Sequence, residues 1–115
     1  MSSPFDAVLD GLIRHRGVTG CLVVDERDGI PVDQQVQVGL DAAVLAALAA
    51  SLYRRACRSA RAAGFGSTAF FELVAEEGRI CAAGRNGLVL VVVAEPRVNV
   101  GLIRVEMLQA MEAFA

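Results

Sequence analysis

Residues 41–63 constrain this chain more than any other segment. Asp41 can cap a helix, and no proline or glycine interrupts the run to Ala63 before Gly64, so the segment reads as one long helix. At 3.6 residues per turn, Leu45, Leu48, Ala49, Leu52, Ala56 and Ala63 share a face, the expected partner of a sheet. The opposite face divides in two, with Ala43, Ala47 and Ala50 in its first half and Arg54, Arg58 and Arg61 in its second. A helix end that is apolar on every side must be covered on every side, and a 115-residue domain has no further layer to cover it. A second copy of the chain is the economical cover, because small side chains three and four apart let two helices approach closely and two-fold homodimers are the commonest oligomers. The competing reading is that alanine is merely a good helix former that tolerates solvent. The arginines also admit two readings: a solvated basic end favoured by the helix dipole, or a patch that meets an acidic partner surface.

Composition supports one domain with more apolar surface than it needs. The 115 residues are 55% hydrophobic and 21% charged, above ordinary apolar usage. All 11 basic residues are arginine and 13 acidic residues outnumber them, which removes any global positive field for nucleic acid. No apolar run approaches the roughly 18–20 residues of a spanning helix, and Met1-Ser2-Ser3-Pro4 leads into an amphipathic segment instead of a secretory signal. A cytoplasmic protein is expected. Cys21, Cys57 and Cys81 are odd in number, widely spaced and in apolar contexts, which suits reduced thiols.

The remaining elements follow from local pattern. Ser3-Pro4-Phe5-Asp6 places a hydroxyl, a proline and a carboxylate as a helix start does, giving a first helix over 4–15 that Gly17 ends. Val18–Asp25 is a short β-branched strand, and Asp28-Gly29 turns it into Ile30-Pro31-Val32 and a polar alternation through Val36 and Val38. Pro31 cannot donate to a ladder, so that second strand belongs at an edge. After the long helix come strands at 67–76, 79–83 and 88–94, with turns at Glu77-Gly78 and Gly84-Arg85-Asn86-Gly87. The last strand is apolar throughout, so both its faces are covered and it is central. Asn99 can cap a final helix whose stripe is Val100, Ile103, Met107, Met111 and Phe114. The order is α-β-β-α-β-β-β-α, an α/β (α+β sandwich) class.

No catalytic constellation emerges. A phosphate-cradling loop is missing, since Gly64-Phe65-Gly66 follows a helix where such a loop follows a strand, and it reads as a helix-to-strand turn. His15 is the only histidine and has no carboxylate in an evident supporting motif; it is expected to lie exposed near a helix end. Glu72, inside a strand between Phe71 and Leu73, faces either solvent or a dimer seam. With no acid, base and nucleophile assembled, and no metal or cofactor expected, the chain reads as a binding module and not as an enzyme.

Several phrases in order carry a family resemblance: Gly17-Val18-Thr19-Gly20-Cys21-Leu22-Val23-Val24-Asp25, then Asp28-Gly29-Ile30-Pro31, the alanine-rich helix from Asp41, and Asn99-Val100-Gly101-Leu102-Ile103-Arg104. The chain resembles bacterial roadblock proteins, the family of the dynein light chain roadblock and of MglB-type regulators of Ras-like GTPases. The resemblance implies a five-stranded antiparallel sheet of order 2-1-5-4-3, with the long helix on one face and the first and last helices on the other. It implies a homodimer that joins third strands edge to edge, placing Phe71 and Glu72 with Ala43, Ala47 and Ala50 at the seam. The two long helices then form a platform for a small GTPase or another partner, flanked by Arg54, Arg58 and Arg61. Regulators of the MglB type act by reshaping the GTPase's own active site, so no catalytic residues are expected. The alternative is a small-molecule sensor of the PAS or GAF kind, which needs a cavity lined by polar and aromatic groups. With no Trp and Tyr53 as the one tyrosine, that lining is hard to supply.

Overall fold

The computed structural model describes residues 3–115. Its elements are α1 (Asp6–Ile13), β1 (Val18–Asp25), β2 (Pro31–Val36), α2 (Ala42–Ala62), β3 (Phe71–Ala75), β4 (Gly78–Arg85), β5 (Leu88–Ala94) and α3 (Val100–Ala110), the last continued by a 3-10 turn over Met111–Phe114. The five strands form one antiparallel sheet of order β2-β1-β5-β4-β3. The apolar β5 lies at the centre, and Pro31 lies on an edge, as their sequences require.

Local chemistry accounts for the boundaries. Asp41 accepts from the N–H groups of Ala43 (3.1 Å) and Val44 (3.3 Å), and Asn99 accepts from Leu102 (3.3 Å), so two of the three expected caps form. Gly64, at φ +79, ends α2, and Phe65 N–H reaches back to the Ala60 carbonyl at 2.8 Å. Several boundaries differ from expectation, among them the end of the first helix, at Ile13 and not 15. The first helix begins at Asp6, with Phe5 and not Ser3 at its N-cap, because Ser3 is engaged in the turn before it: its Oγ accepts from Phe5 N–H and its own N–H donates to the Asp6 carboxylate. The third strand begins only at Phe71, since the chain is still returning from α2 through Gly64 and Gly66, both at φ +79. β4 runs on through Arg85, because Asn86 and Gly87, at φ 55 and 79, make the whole reversal in two residues.

The sheet separates two half-cores of different texture. On one face, α1 and α3 supply large side chains: Leu9, Leu12, Ile103, Met107 and Phe114 pack against Cys21, Val23, Cys81, Leu90 and Val92. On the other, α2 supplies Ala46, Ala49, Ala50 and Tyr53 against Leu22, Val24, Ala82, Val89 and Val91. α2 is therefore seated on small groups. Gly84 lies directly beneath Tyr53, where an added Cβ would meet the ring and hydroxyl at 2.8 Å, and at Gly29 it would meet the Ala47 Cα at 3.2 Å.

This seating corrects the wheel. Ala49 does face the sheet, but so do Ala46, Ala50 and Tyr53, while Leu48 is 51% exposed, Ala63 is exposed, and Leu45, Leu52 and Ala56 are only half-buried. Side-chain size misled the phase: where two glycines and a row of alanines permit close approach, the small residues go inward and the leucines are displaced to the flank. Gly84→Ala is expected to cost about 1–3 kcal/mol by overpacking against Tyr53, read as a drop of several degrees in the thermal midpoint. Gly101→Ala, whose Cβ meets only Asn99 Oδ1 at 3.4 Å, is expected to leave the midpoint unchanged or raise it.

Candidate functional site

The face of α2 turned away from the sheet carries its displaced apolar side chains. Val44 and Leu48 are 52% and 51% exposed, and Leu45 and Leu52 are half-buried without packing on either core cluster. Covering the remaining exposed half of one such side chain is worth on the order of 1 kcal/mol. β3 adds to this surface. Phe71 packs under α2 and Leu73, on the same face, is 38% exposed, whereas Val74, 59% exposed, alternates to the opposite face with Glu72.

β3 is also an edge strand with free backbone groups. The two-residue turn at Glu76-Glu77 makes Ala75 and Gly78 a bonded pair, so alternation along the ladder turns the N–H and C=O groups of Glu72 and Val74 outward. Neither proline nor lysine blunts this strand. Glu72 is not free. Its carboxylate accepts from Arg79 at 2.9 Å, and Arg79 Nε donates to the Pro96 carbonyl at 3.0 Å, which ties β3 and β4 to the loop before α3.

The residues expected at a seam therefore divide. Ala43 and Ala47 are exposed at the start of α2, and Phe71 and Glu72 lie on the edge strand. Ala50 is corrected: it is fully buried against its own sheet and has no surface to offer a second chain. Val44, Leu48 and Leu73 are exposed instead, and their exposure could be read only once the seating of α2 on glycine was known.

The arginines divide as well. Arg54 is half-buried, and its guanidinium donates to the carbonyls of Glu26 and Arg27, bracing the β1–β2 turn against α2. Arg58 and Arg61 are exposed, and Arg55, which the wheel left aside, joins them. His15 differs from expectation, because its Nε2 pairs with the Glu106 carboxylate, 91 residues away, and clips the turn after α1 to α3. Sequence spacing holds no trace of that partner.

Nothing at these positions assembles a reaction centre. Among the described residues, no three His, Cys, Asp or Glu side chains are grouped to hold a metal ion. A cleft of about 540 Å³ between β2 and the start of α2 is lined by Pro31, Gln34, Val36, Leu40 and Ala43, without an aromatic ring. No helix in the described residues is long and apolar enough to cross a membrane.

A five-stranded antiparallel sheet with one long helix on one face and two on the other defines an α/β fold of roadblock/longin-like type. The Roadblock/LC7 domain model matches residues 4–94, and the chain belongs to that family. An uncharacterised protein of Methanocaldococcus jannaschii is 32% identical over 107 residues, covering 93% of each chain. Among solved structures, Myxococcus xanthus MglB superposes with a TM-score of 0.84 at 21% identity, over 97% of this chain and 92% of its own. A Roadblock/LC7 domain from Streptomyces avermitilis gives 0.83 at 19% identity, over 97% and 98%. The sensor alternative loses its footing with this membership.

The cysteines are free thiols with unlike surroundings. Burial pushes the Cys21 thiol up to about 12 from an ordinary 9.0, with Asp10 and Asp33 adding to the shift, and burial with the Glu72 charge pushes Cys81 up to about 11. A thiol whose folded value is raised contributes stability below its unfolded value, and that contribution is lost as pH rises through the folded one. Unfolding free energy is therefore expected to fall as pH climbs from about 9 towards 11–12, a decline that denaturant titrations should register. At pH 8 a thiol reagent should label one cysteine of the native protein, Cys57, which is half-buried, and all three in denaturant.

Proposed function

We propose that this chain is a homodimeric regulator of a small Ras-like GTPase, acting by binding and without chemistry of its own. The observation that carries the proposal is an exposed or half-buried apolar surface on α2, with Val44, Leu45, Leu48 and Leu52, in a roadblock fold whose β3 is an open edge strand. Pairing β3 with its two-fold copy would satisfy the outward backbone groups of Glu72 and Val74, and bring two α2 helices together over the joint. One interaction would thereby cover both exposed features of the monomer.

The outer surface of the paired helices then serves as the platform. Arg55, Arg58 and Arg61 stand exposed along the second half of α2, and they suit an acidic strip on the partner. Arg54 serves the platform indirectly by holding that turn in place. The partner's own residues hydrolyse GTP, and docking sets their geometry. Whether this regulator accelerates hydrolysis or chiefly tethers the GTPase is decided by the same assay. A cytoplasmic site of action belongs to this reading.

Two measurements test it. Leu48→Glu is expected to leave a folded protein whose mass by light scattering is that of one chain, whereas the unaltered protein has that of two. A Ras-like GTPase encoded beside this gene should bind in pull-down and hydrolyse GTP faster in the presence of the dimer than alone. A double Arg58→Glu, Arg61→Glu variant should associate with it about tenfold more slowly at low salt and converge with the parent at high salt. Absence of both binding and acceleration would contradict the GTPase reading.

A further inference from the structure

The sheet has a second edge, and its chemistry is opposite to that of β3. β2 lies at the far side of the sheet, and its neighbourhood carries exposed apolar groups, Ile30 at 59% and Val32 at 54%. A bare strand there would be as sticky as β3.

The ladder phase shows which backbone groups face outward. Gln37 N–H donates to the Thr19 carbonyl and Asp25 N–H to the Ile30 carbonyl, which fixes the bonded pairs at the two ends of the β1–β2 ladder. Counting inward through the register, with its irregularity between Val23 and Val24, turns Pro31, Gln34 and Val36 away from β1. Each of the first two outward positions is closed. Pro31 has no N–H, and the Gln34 N–H donates to the carboxylate of Asp33 at 2.8 Å. The other oxygen of Asp33 accepts from the Ser3 hydroxyl, and Gln35 Nε2 donates to Asp10 at 2.6 Å, so the N-terminal segment and α1 hold β2 from one side. The extra residue opposite Val23 further bends the strand.

We propose that Pro31 and Asp33 are a terminator built into β2, which stops the sheet from pairing with a further copy of this chain and confines assembly to β3. The inference rests on the proposed β3 pairing only for its consequence. With β3 joined to β3, two β2 edges remain as the ends of a continuous sheet, and open ends there would add dimers without closure into linear ribbons. A closed β2 makes the dimer a finite object.

The test opens the edge. Pro31→Thr combined with Asp33→Thr supplies the missing N–H and frees that of Gln34. Its mass by light scattering is expected to rise with concentration to at least double that of the parent, with elongated particles by electron microscopy. Asp33→Asn, which keeps an acceptor for the Gln34 N–H, is the control and should behave as the parent. Circular dichroism and thermal melts establish that each variant is folded. Should the double variant itself not fold, Pro31→Thr alone carries the test, with a smaller rise in mass. In the Leu48→Glu background, the opened edge should turn single chains into pairs. A folded, opened variant with the mass of its parent in both backgrounds would overturn the proposal. If the parent itself has the mass of one chain, the β3 reading fails, while pairing of the opened variant still upholds the terminator.

Discussion

The contact between α2 and the sheet is made of small groups, and the arrangement of the molecule follows from that. Gly84 beneath Tyr53, Gly29 beside Ala47, and the row Ala46, Ala49 and Ala50 bring helix and sheet backbones close. Close seating leaves little depth for leucine between them, so Leu45, Leu48 and Leu52 are displaced from the sheet to half-buried or exposed positions. The opposite face of the sheet has the complementary texture, with Leu, Ile, Met and Phe from α1 and α3 filling a deeper layer. One face of the domain thus completes its core from its own chain. The other is left with apolar surface that dimerisation would cover.

Edges complete the same division of labour. β3 carries exposed Leu73 and Val74 and outward-facing backbone with nothing to blunt it, while β2 carries a proline, an irregular register and a carboxylate folded onto its own backbone. A sheet with one receptive edge and one refractory edge has a direction for assembly. Phe71 and Leu73 of β3 lie on the α2 face of the sheet, so backbone pairing of that edge would bring side-chain burial with it.

Much of this architecture was legible in the sequence. The caps at Asp41 and Asn99, the edge position of Pro31, the central place of Leu88–Ala94 and the order of all eight main elements follow from local rules that tertiary structure did not override. The family resemblance rested on phrases spread over the whole chain, and the Roadblock/LC7 match covers residues 4–94. The rotation of α2 was not legible. A wheel ranks faces by hydrophobicity, and it placed leucines inward because nothing local to residues 41–63 reveals that glycines 29 and 84 lie underneath. Two polar partners were hidden for the same reason: Glu106 for His15, and the turn carbonyls for Arg54, are distant in sequence and near only in the fold. Hence the apolar seam was expected on alanines, one of which, Ala50, is sealed in the core.

The central claim is that displaced leucines and the open edge of β3 meet a second chain, while β2 does not. Amide hydrogen exchange reads both edges in one experiment. The account predicts that the Glu72 and Val74 amides, which face outward in the monomer, are strongly protected in the native protein and lose protection on dilution, while Val36 exchanges freely at every concentration. Fast exchange of Glu72 and Val74 at all concentrations, at the rate of Val36, would contradict it.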